Sequence, residues 1–189
     1  DGKDVLGQAE TGSGKTLAFG LGIMQIINPR FFGAQAIVLC PTRELADQVA
    51  KELRKLARAL GNIKVLTLCG GQALRPQIES LQHGAHVIVG TPGRVLDLVR
   101  EQHLNLSQVK VFVLDEADRM MDMGFFEDIS EISQATPLRR QTLFFSATFP
   151  EHVMRISEGF QREPVRVQAS TEAVNFTIEQ AFFIHSPDV

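Results

Sequence analysis

Six short runs of β-branched and aliphatic residues recur along the 189-residue chain, each separated from the next by a helical pattern. They are Val5-Leu6, Ile37 to Cys40, Val65 to Leu68, Val87 to Val89, Val111 to Leu114 and Leu143 to Phe145. None shows the strict polar alternation of a strand with one wet face, so each is expected to be covered on both sides in a largely parallel sheet. The intervening helices are legible as well. After Pro41-Thr42, apolar residues recur at spacings of three and four (Leu45, Val49, Leu53, Leu56, Leu60), Asp47 precedes Lys51 by four, and Gly61 offers a stop. The expected fold is therefore an α/β three-layer sandwich, with helices on both faces of the sheet. A chain of this length suffices for one such domain with a proper core.

The chemistry lies in the polar cluster at the end of each run. In order come A-E-T-G-S-G-K-T (Ala9 to Thr16), P-T-R-E-L-A (Pro41 to Ala46), Gly70-Gly71, T-P-G-R (Thr91 to Arg94), D-E-A-D (Asp115 to Asp118) and S-A-T (Ser146 to Thr148). Open parallel sheets put ligands at the carboxyl ends of their strands, so all six clusters are expected along one rim. The first cluster is built to hold a polyphosphate. Consecutive N–H groups can turn inward on crowded negative charge where Gly12 and Gly14 allow positive φ. Lys15 supplies a point charge for the β and γ phosphates, and the Thr16 hydroxyl a position on Mg²⁺ at the start of the following helix. The usual phosphate-loop pattern opens with glycine, whereas this one opens with Ala9. Alone, the loop could be a glycine-rich turn capping a helix, and D-E-A-D alone a solvated acidic turn. Together, with Asp115 leaving an apolar run, they fit a metal-holding carboxylate beside a group, Glu116, that acts on water.

Composition narrows the partners. The net charge is −3 and the pI about 6.0, so no broad field draws this chain onto nucleic acid, and any such contact must be local. With 13 Phe but no Tyr or Trp, the chain lacks the residues best suited to stack on bases at a wet surface. A bound nucleic acid is expected to be gripped by its sugar-phosphate backbone. Thr91 can cap a helix with Pro92 in its first turn, and Gly93 allows close approach, which makes a phosphate seat. By themselves Thr91 to Arg94 could equally be an ordinary helix start, and Gly70-Gly71 an ordinary turn. Cys40 and Cys69 have no C-x-x-C spacing, which argues against zinc and for buried, reduced thiols in a cytoplasmic protein. The longest apolar stretch, Leu17 to Ile27, is interrupted and too short for a bilayer span, and no signal peptide is visible. Met120, Met121, Met123, Phe125 and Phe126 are expected in the core, and Arg139-Arg140 in a solvated turn. The histidines show no pairing at metal-ligand spacing.

The ordered set A-E-T-G-S-G-K-T, P-T-R-E-L-A, G-G, T-P-G-R, D-E-A-D and S-A-T resembles the first RecA-like domain of the DEAD-box ATP-dependent RNA helicases, over nearly the whole chain. The resemblance implies a RecA-like fold and roles for individual residues. Glu10, Thr11, Gly12, Ser13, Gly14, Lys15 and Thr16 would bind ATP, Thr16 and Asp115 would hold Mg²⁺, and Glu116 would be the base for the hydrolytic water. Asp118 would link to Ser146, Ala147 and Thr148 and couple nucleotide state to RNA. Pro41, Thr42, Arg43, Gly70, Gly71, Thr91, Pro92, Gly93 and Arg94 would grip RNA. The stretches V-L-C-P-T-R-E-L-A-D-Q-V and L-T-L-C-G-G-Q are similar to a bacterial member acting on ribosomal RNA, which implies that substrate class. The family's remaining motifs lie in a second RecA-like domain, and an adenine-reading segment normally precedes the phosphate loop. Residues 1–172 are thus expected to form the first domain, lacking that segment, and 173–189 the start of a linker to the second. Two rivals stay open: an ATP-gated RNA clamp, and a phosphate-loop ATPase acting on proteins or DNA.

Overall fold

The computed structural model describes residues 2–9 and 12–168. Among the described residues seven strands and seven α-helices follow in the order β1 Val5–Gln8, α1 Lys15–Ile26, β2 Ala36–Leu39, α2 Arg43–Ala57, β3 Val65–Leu68, α3 Leu74–Gln82, β4 Val87–Gly90, α4 Pro92–Arg100, β5 Val111–Leu114, α5 Ala117–Asp122, α6 Phe126–Gln134, β6 Gln141–Ser146, α7 Glu151–Phe160 and β7 Val165–Gln168. The strands form one sheet in the order β3-β4-β2-β5-β6-β1-β7, every pairing parallel. All strands therefore end on the same edge.

The unbroken apolar runs are explained by two cores, one on each face of the sheet. Along β5, Val111 and Val113 pack with α1 and α2 residues such as Phe19, Ile23, Val49 and Leu53, while Phe112 and Leu114 pack with Leu96, Ile129 and Ile132 on the other side. The same two-residue alternation sends Ala36 and Val38 of β2 one way and Ile37 and Leu39 the other. Gly90 is required where β4 meets β3: a Cβ there would stand 2.3 Å from the Leu68 carbonyl oxygen.

Four expectations are corrected. The sheet has a seventh strand, β7, paired in parallel with β1 at the edge and exposed along its length. Arg140 is buried: its guanidinium lies 5.3 Å from the centroid of the Phe112 ring and donates to Ser133 Oγ and to the Pro137 carbonyl. Only part of the Met/Phe group is core. Met120 is buried and Met121 and Phe125 pack against the core, but Met123 and Phe126 are exposed. Helix α2 also stops short of Gly61, running into a 3₁₀ turn over Arg58–Leu60, which leaves Leu60 exposed. Both cysteines are buried and unpaired with one another, as free thiols. Among the described residues no helix is long and apolar enough to cross a membrane.

Asp4 joins the edge of the sheet to its neighbours. Its buried carboxylate accepts from the Thr142 N–H (2.7 Å) and the Arg162 N–H (2.6 Å), tying β1 to β6 and to the turn before β7. Asp4→Ala leaves both donors without a partner, and the expected loss is about 2–4 kcal/mol. Thermal unfolding checks this, with an expected fall in midpoint of about 5–12 °C for a domain of this size.

Candidate functional site

The parallel topology brings the polar clusters to one rim. The phosphate loop leaves β1, with the Ala9 N–H bonded to the Ser146 carbonyl, so the loop is anchored beside S-A-T. Gly12 and Gly14 adopt φ of +86° and +85°, the left-handed conformation anticipated for a nest, and Gly14 starts α1. Glu10 and Thr11 lie outside the described residues. Ser13 is exposed at the loop crest, Lys15 is buried, and Thr16 half-buried in the first turn of α1.

Lys15 Nζ stands 3.0 Å from Asp115 Oδ1, both side chains almost fully buried. The approach is a charge contact without the direction of a hydrogen bond, for Lys15 Nζ and both Asp115 oxygens have no hydrogen-bond partner. Burial pushes the Asp115 carboxyl above its ordinary value, against the opposing pull of Lys15. Three buried polar atoms with unused capacity thus face one cleft of about 370 Å³, lined also by Gly12, Thr16, Gln48 and Lys51. The two charges compensate one another, and the hydrogen-bonding capacity left over is what a ligand in the cleft can use. The donor set fits a polyphosphate with Mg²⁺: a lysine, open backbone at a helix start, and hydroxyl and carboxylate oxygens, with phosphates and water left to fill the metal's other positions. The sequence analysis assigned neither Gln48 nor Lys51 to the site, reading Lys51 only as the helical partner of Asp47; their spacing of three along α2 was the signal.

Glu116 is held at φ 56°, ψ 53° in the turn between β5 and α5. A non-glycine residue in that region costs about 1–3 kcal/mol, strain that clusters at working sites. The turn separates two neighbouring carboxylates into different environments. Asp115 is fully buried at the strand end, and the Glu116 side chain is 13% exposed, with Oε2 3.4 Å from Arg119 Nη1.

Asp118 Oδ2 accepts from the Thr148 N–H (3.2 Å) and hydroxyl (3.0 Å), which joins D-E-A-D to S-A-T. Ser146 Oγ in turn donates to the Thr148 carbonyl, and Ala147 supplies its carbonyl to Gln8 Nε2. Burial raises the Asp118 pKa, but hydrogen bonds from the Thr148 N–H and hydroxyl and the Arg119 N–H, beside the Ser146 side chain, outweigh it and hold the carboxyl below its ordinary value. A carboxylate with a depressed folded-state pKa stabilises above its unfolded pKa and loses that contribution as pH falls through the folded value. Asp118→Asn is therefore expected to cost under about 1 kcal/mol at neutral pH, exposure keeping it small, with the difference vanishing in acid below the ordinary carboxylate range. Denaturant titrations of both proteins across pH check this.

The remaining three clusters are knit to one another. Pro41 is buried, and Thr42 caps α2 by accepting from the Leu45 N–H (3.3 Å). Arg43 is exposed beside Gly71, its guanidinium reaching 4.0 Å from where a Cβ on that glycine would be. Thr91 occupies the N-cap position of α4 with Pro92 following, but its hydroxyl does not cap that helix; it accepts from the Gly70 N–H at 3.2 Å. Arg94 donates through both terminal nitrogens to the Gln72 carbonyl (3.2 and 3.1 Å). Gly93 sits half-exposed between them. The amide nitrogens at the start of α4 are left without the threonine side chain, the arrangement an anionic ligand can use.

Comparison with known proteins bears on this rim. A family model described as DEAD/DEAH box helicase matches residues 1–156. The chain is 54% identical over 182 residues to ATP-dependent RNA helicase DbpA of Escherichia coli (strain K12), covering 96% of this chain and 40% of that protein. It is 44% identical over 184 residues to DEAD-box ATP-dependent RNA helicase CshA of Streptococcus pneumoniae (strain TIGR4), covering 97% and 35%. Among solved structures, a DEAD box protein from the hyperthermophile Methanococcus jannaschii superposes with a TM-score of 0.83 at 41% identity, over 88% of this chain and 45% of that one. The chain thus spans less than half the length of these relatives. Residue order, parallel topology and likeness to these proteins agree: the chain belongs to the DEAD/DEAH box helicase family.

Proposed function

We propose that this chain is the ATP-binding and first RNA-binding half-site of an ATP-dependent RNA helicase whose second RecA-like domain supplies the rest. The observation that carries the reading is the shared rim: the Lys15–Asp115 pair at 3.0 Å opens on the same sheet edge as Arg43, Gly70, Thr91 and Arg94. On this reading Gly12 to Thr16 hold the triphosphate, with Glu10 and Thr11 completing the loop. Lys15 leaves Asp115 for the β and γ phosphates, and Thr16 and Asp115 hold Mg²⁺, which neutralises charge on the phosphates when bound. Glu116 accepts the proton of the attacking water. Asp118, Ser146, Ala147 and Thr148 pass nucleotide state to the RNA-gripping loops, where Pro41, Thr42, Arg43, Gly70, Gly71, Thr91, Pro92, Gly93 and Arg94 meet phosphates and sugars. Backbone gripping reads shape, which suits a surface without Trp or Tyr.

Residues 1–172 would be the domain and 173–189 the linker, which lies outside the described residues. DbpA's likeness favours ribosomal RNA as substrate, in ribosome assembly, and a cytoplasmic setting. The test is RNA-stimulated ATP hydrolysis and strand separation by the complete protein. The expected result is ATP-dependent separation of a short duplex, with RNA rather than DNA stimulating turnover. Nucleotide-dependent RNA retention with no separation would replace helicase by clamp, and equal stimulation by DNA would contradict the RNA assignment.

A further inference from the structure

The edge of the sheet opposite the nucleotide is far more positive than the chain as a whole. The connections there, residues 2–4, 27–35, 58–64, 83–86, 101–110, 135–140 and 161–164, hold eight Lys or Arg and three Asp or Glu, in a chain of net charge −3. The nucleotide rim instead sets Lys15, Arg43 and Arg94 against Glu44, Asp115, Glu116 and Asp118.

The cations concentrate at the starts of four adjacent strands, β5, β6, β1 and β7. Gln141, the first residue of β6, bonds through its N–H to the Lys110 carbonyl and through its side chain to the Lys3 carbonyl, while Arg162 Nη2 donates to the Arg140 carbonyl. Lys3, Lys110, Arg139 and Arg162 are exposed along this row, which at the usual strand spacing is about 14 Å long. Among the described residues, none of these four nor Arg140 lies in an ion pair.

Two further facts mark the row as more than solvated surface. Arg140 is 8% exposed, and its Nε is buried with no hydrogen-bond partner. Burial pushes that guanidinium below its ordinary range; Asp4 opposes the shift and the nearby charge of Arg162 adds to it. Asp4, the carboxylate best placed to compensate, is occupied by two backbone N–H groups. Glu163 is the exposed carboxylate beside Arg162. Helix-end electrostatics do not explain these four cations, since the basic last-turn residues of the long helices are Arg54 and Lys55 of α2 and Arg100 of α4, none of them in the row.

We propose that this row, Lys3, Lys110, Arg139 and Arg162 around the buried Arg140, is a second RNA-backbone contact, on the face away from the nucleotide. A row of separate cations outside any ion pair suits a strand of phosphates, held without reading sequence. It would grip a part of a structured RNA remote from the segment on the nucleotide rim. The contact stands on electrostatics of its own and does not depend on the assignment of the ATP site.

The test is binding of a short fluorescent single-stranded RNA by this chain, followed by anisotropy across a range of salt. Lys3, Lys110 and Arg139 are exposed, and replacing all three by glutamine (K3Q/K110Q/R139Q) removes little that holds the fold, as an unchanged thermal midpoint would show. The expected result is weakening by about tenfold or more at low salt, with the slope of log affinity against log salt reduced by about 2, three single-strand contacts' worth. Arg139→Glu alone, a residue with no side-chain bond, should weaken binding in the same direction. Arg43→Ala/Arg94→Ala removes the nucleotide-rim contacts separately and should leave the effect of the triple variant intact. Unchanged affinity and slope in the triple variant would overturn the proposal, as would loss of all binding from the nucleotide-rim variant alone. Displacement of RNA by polyglutamate of matched charge as readily as by unlabelled RNA would also overturn it, assigning the row to an acidic protein.

Discussion

Lys15→Ala in the complete protein is expected to lower kcat/KM for ATP by about 10³ or more, an effect on the scale of removing one preorganised charge-stabilising group from an active site. The lysine is buried beside Asp115 and has no hydrogen-bond partner, so its charge is already desolvated and aimed at the cleft. A charge held in that state acts in a low dielectric and needs little reorganisation when phosphate negative charge develops. Alanine also leaves Asp115 buried without its counterion, which favours protonation of a carboxyl whose pKa is already raised. Glu116→Gln keeps the size of the side chain and removes the proposed base; kcat should fall by about 10²–10⁴ with nucleotide affinity preserved. Steady-state turnover and nucleotide binding separate the two variants. Turnover within a few-fold of wild type in either would show that the phosphate site has been misplaced.

These 189 residues alone are expected to bind Mg-ATP weakly and to hydrolyse it at a rate about 10³–10⁵ below that of the complete protein, with or without RNA. The physical reason is geometric. The cleft is formed by one sheet edge, and the cations on its walls are Lys15 and Lys51. Phosphoryl transfer spreads charge over the equatorial oxygens, and the arginines that meet it in this class come from a facing element. Arg43 and Arg94 do not line this cleft; they stand on the loops after β2 and β4, where the RNA contacts are proposed. Phosphate release from the isolated chain, measured against the full-length protein at equal concentration, checks this. Robust RNA-stimulated turnover by the chain alone would contradict it.

Much of this molecule is readable without coordinates because its two cores impose a simple pattern. Val111 to Leu114 can be unbroken and apolar only if both faces are covered, and a parallel sheet then fixes where Asp115 must emerge. Gly12 and Gly14 announced positive φ by being glycine. The misses have equally definite causes. Strand β7 is exposed along its length, so Val165-Arg166-Val167-Gln168 lacks the apolar continuity that marked the other six. Arg140 stacks over Phe112, and a pair of arginines in a turn gives no sign that one of them is buried. The left-handed turn at Glu116 is imposed from outside, by β5 on one side and the docking of Asp118 on Thr148 on the other. Thr91 stands in a capping position, yet its hydroxyl serves Gly70, a partner 21 residues away that local spacing cannot supply.

The central claim is that Lys15 and Asp115 face one cleft, where a polyphosphate and its cation are held together. It is tested most directly by titrating a fluorescent ATP analogue into this chain with and without Mg²⁺, for the wild type and for Asp115→Asn. The expected result is Mg²⁺-enhanced binding by the wild type and loss of that enhancement in the variant, with metal-free affinity retained. An undiminished Mg²⁺ enhancement in Asp115→Asn would contradict the claim.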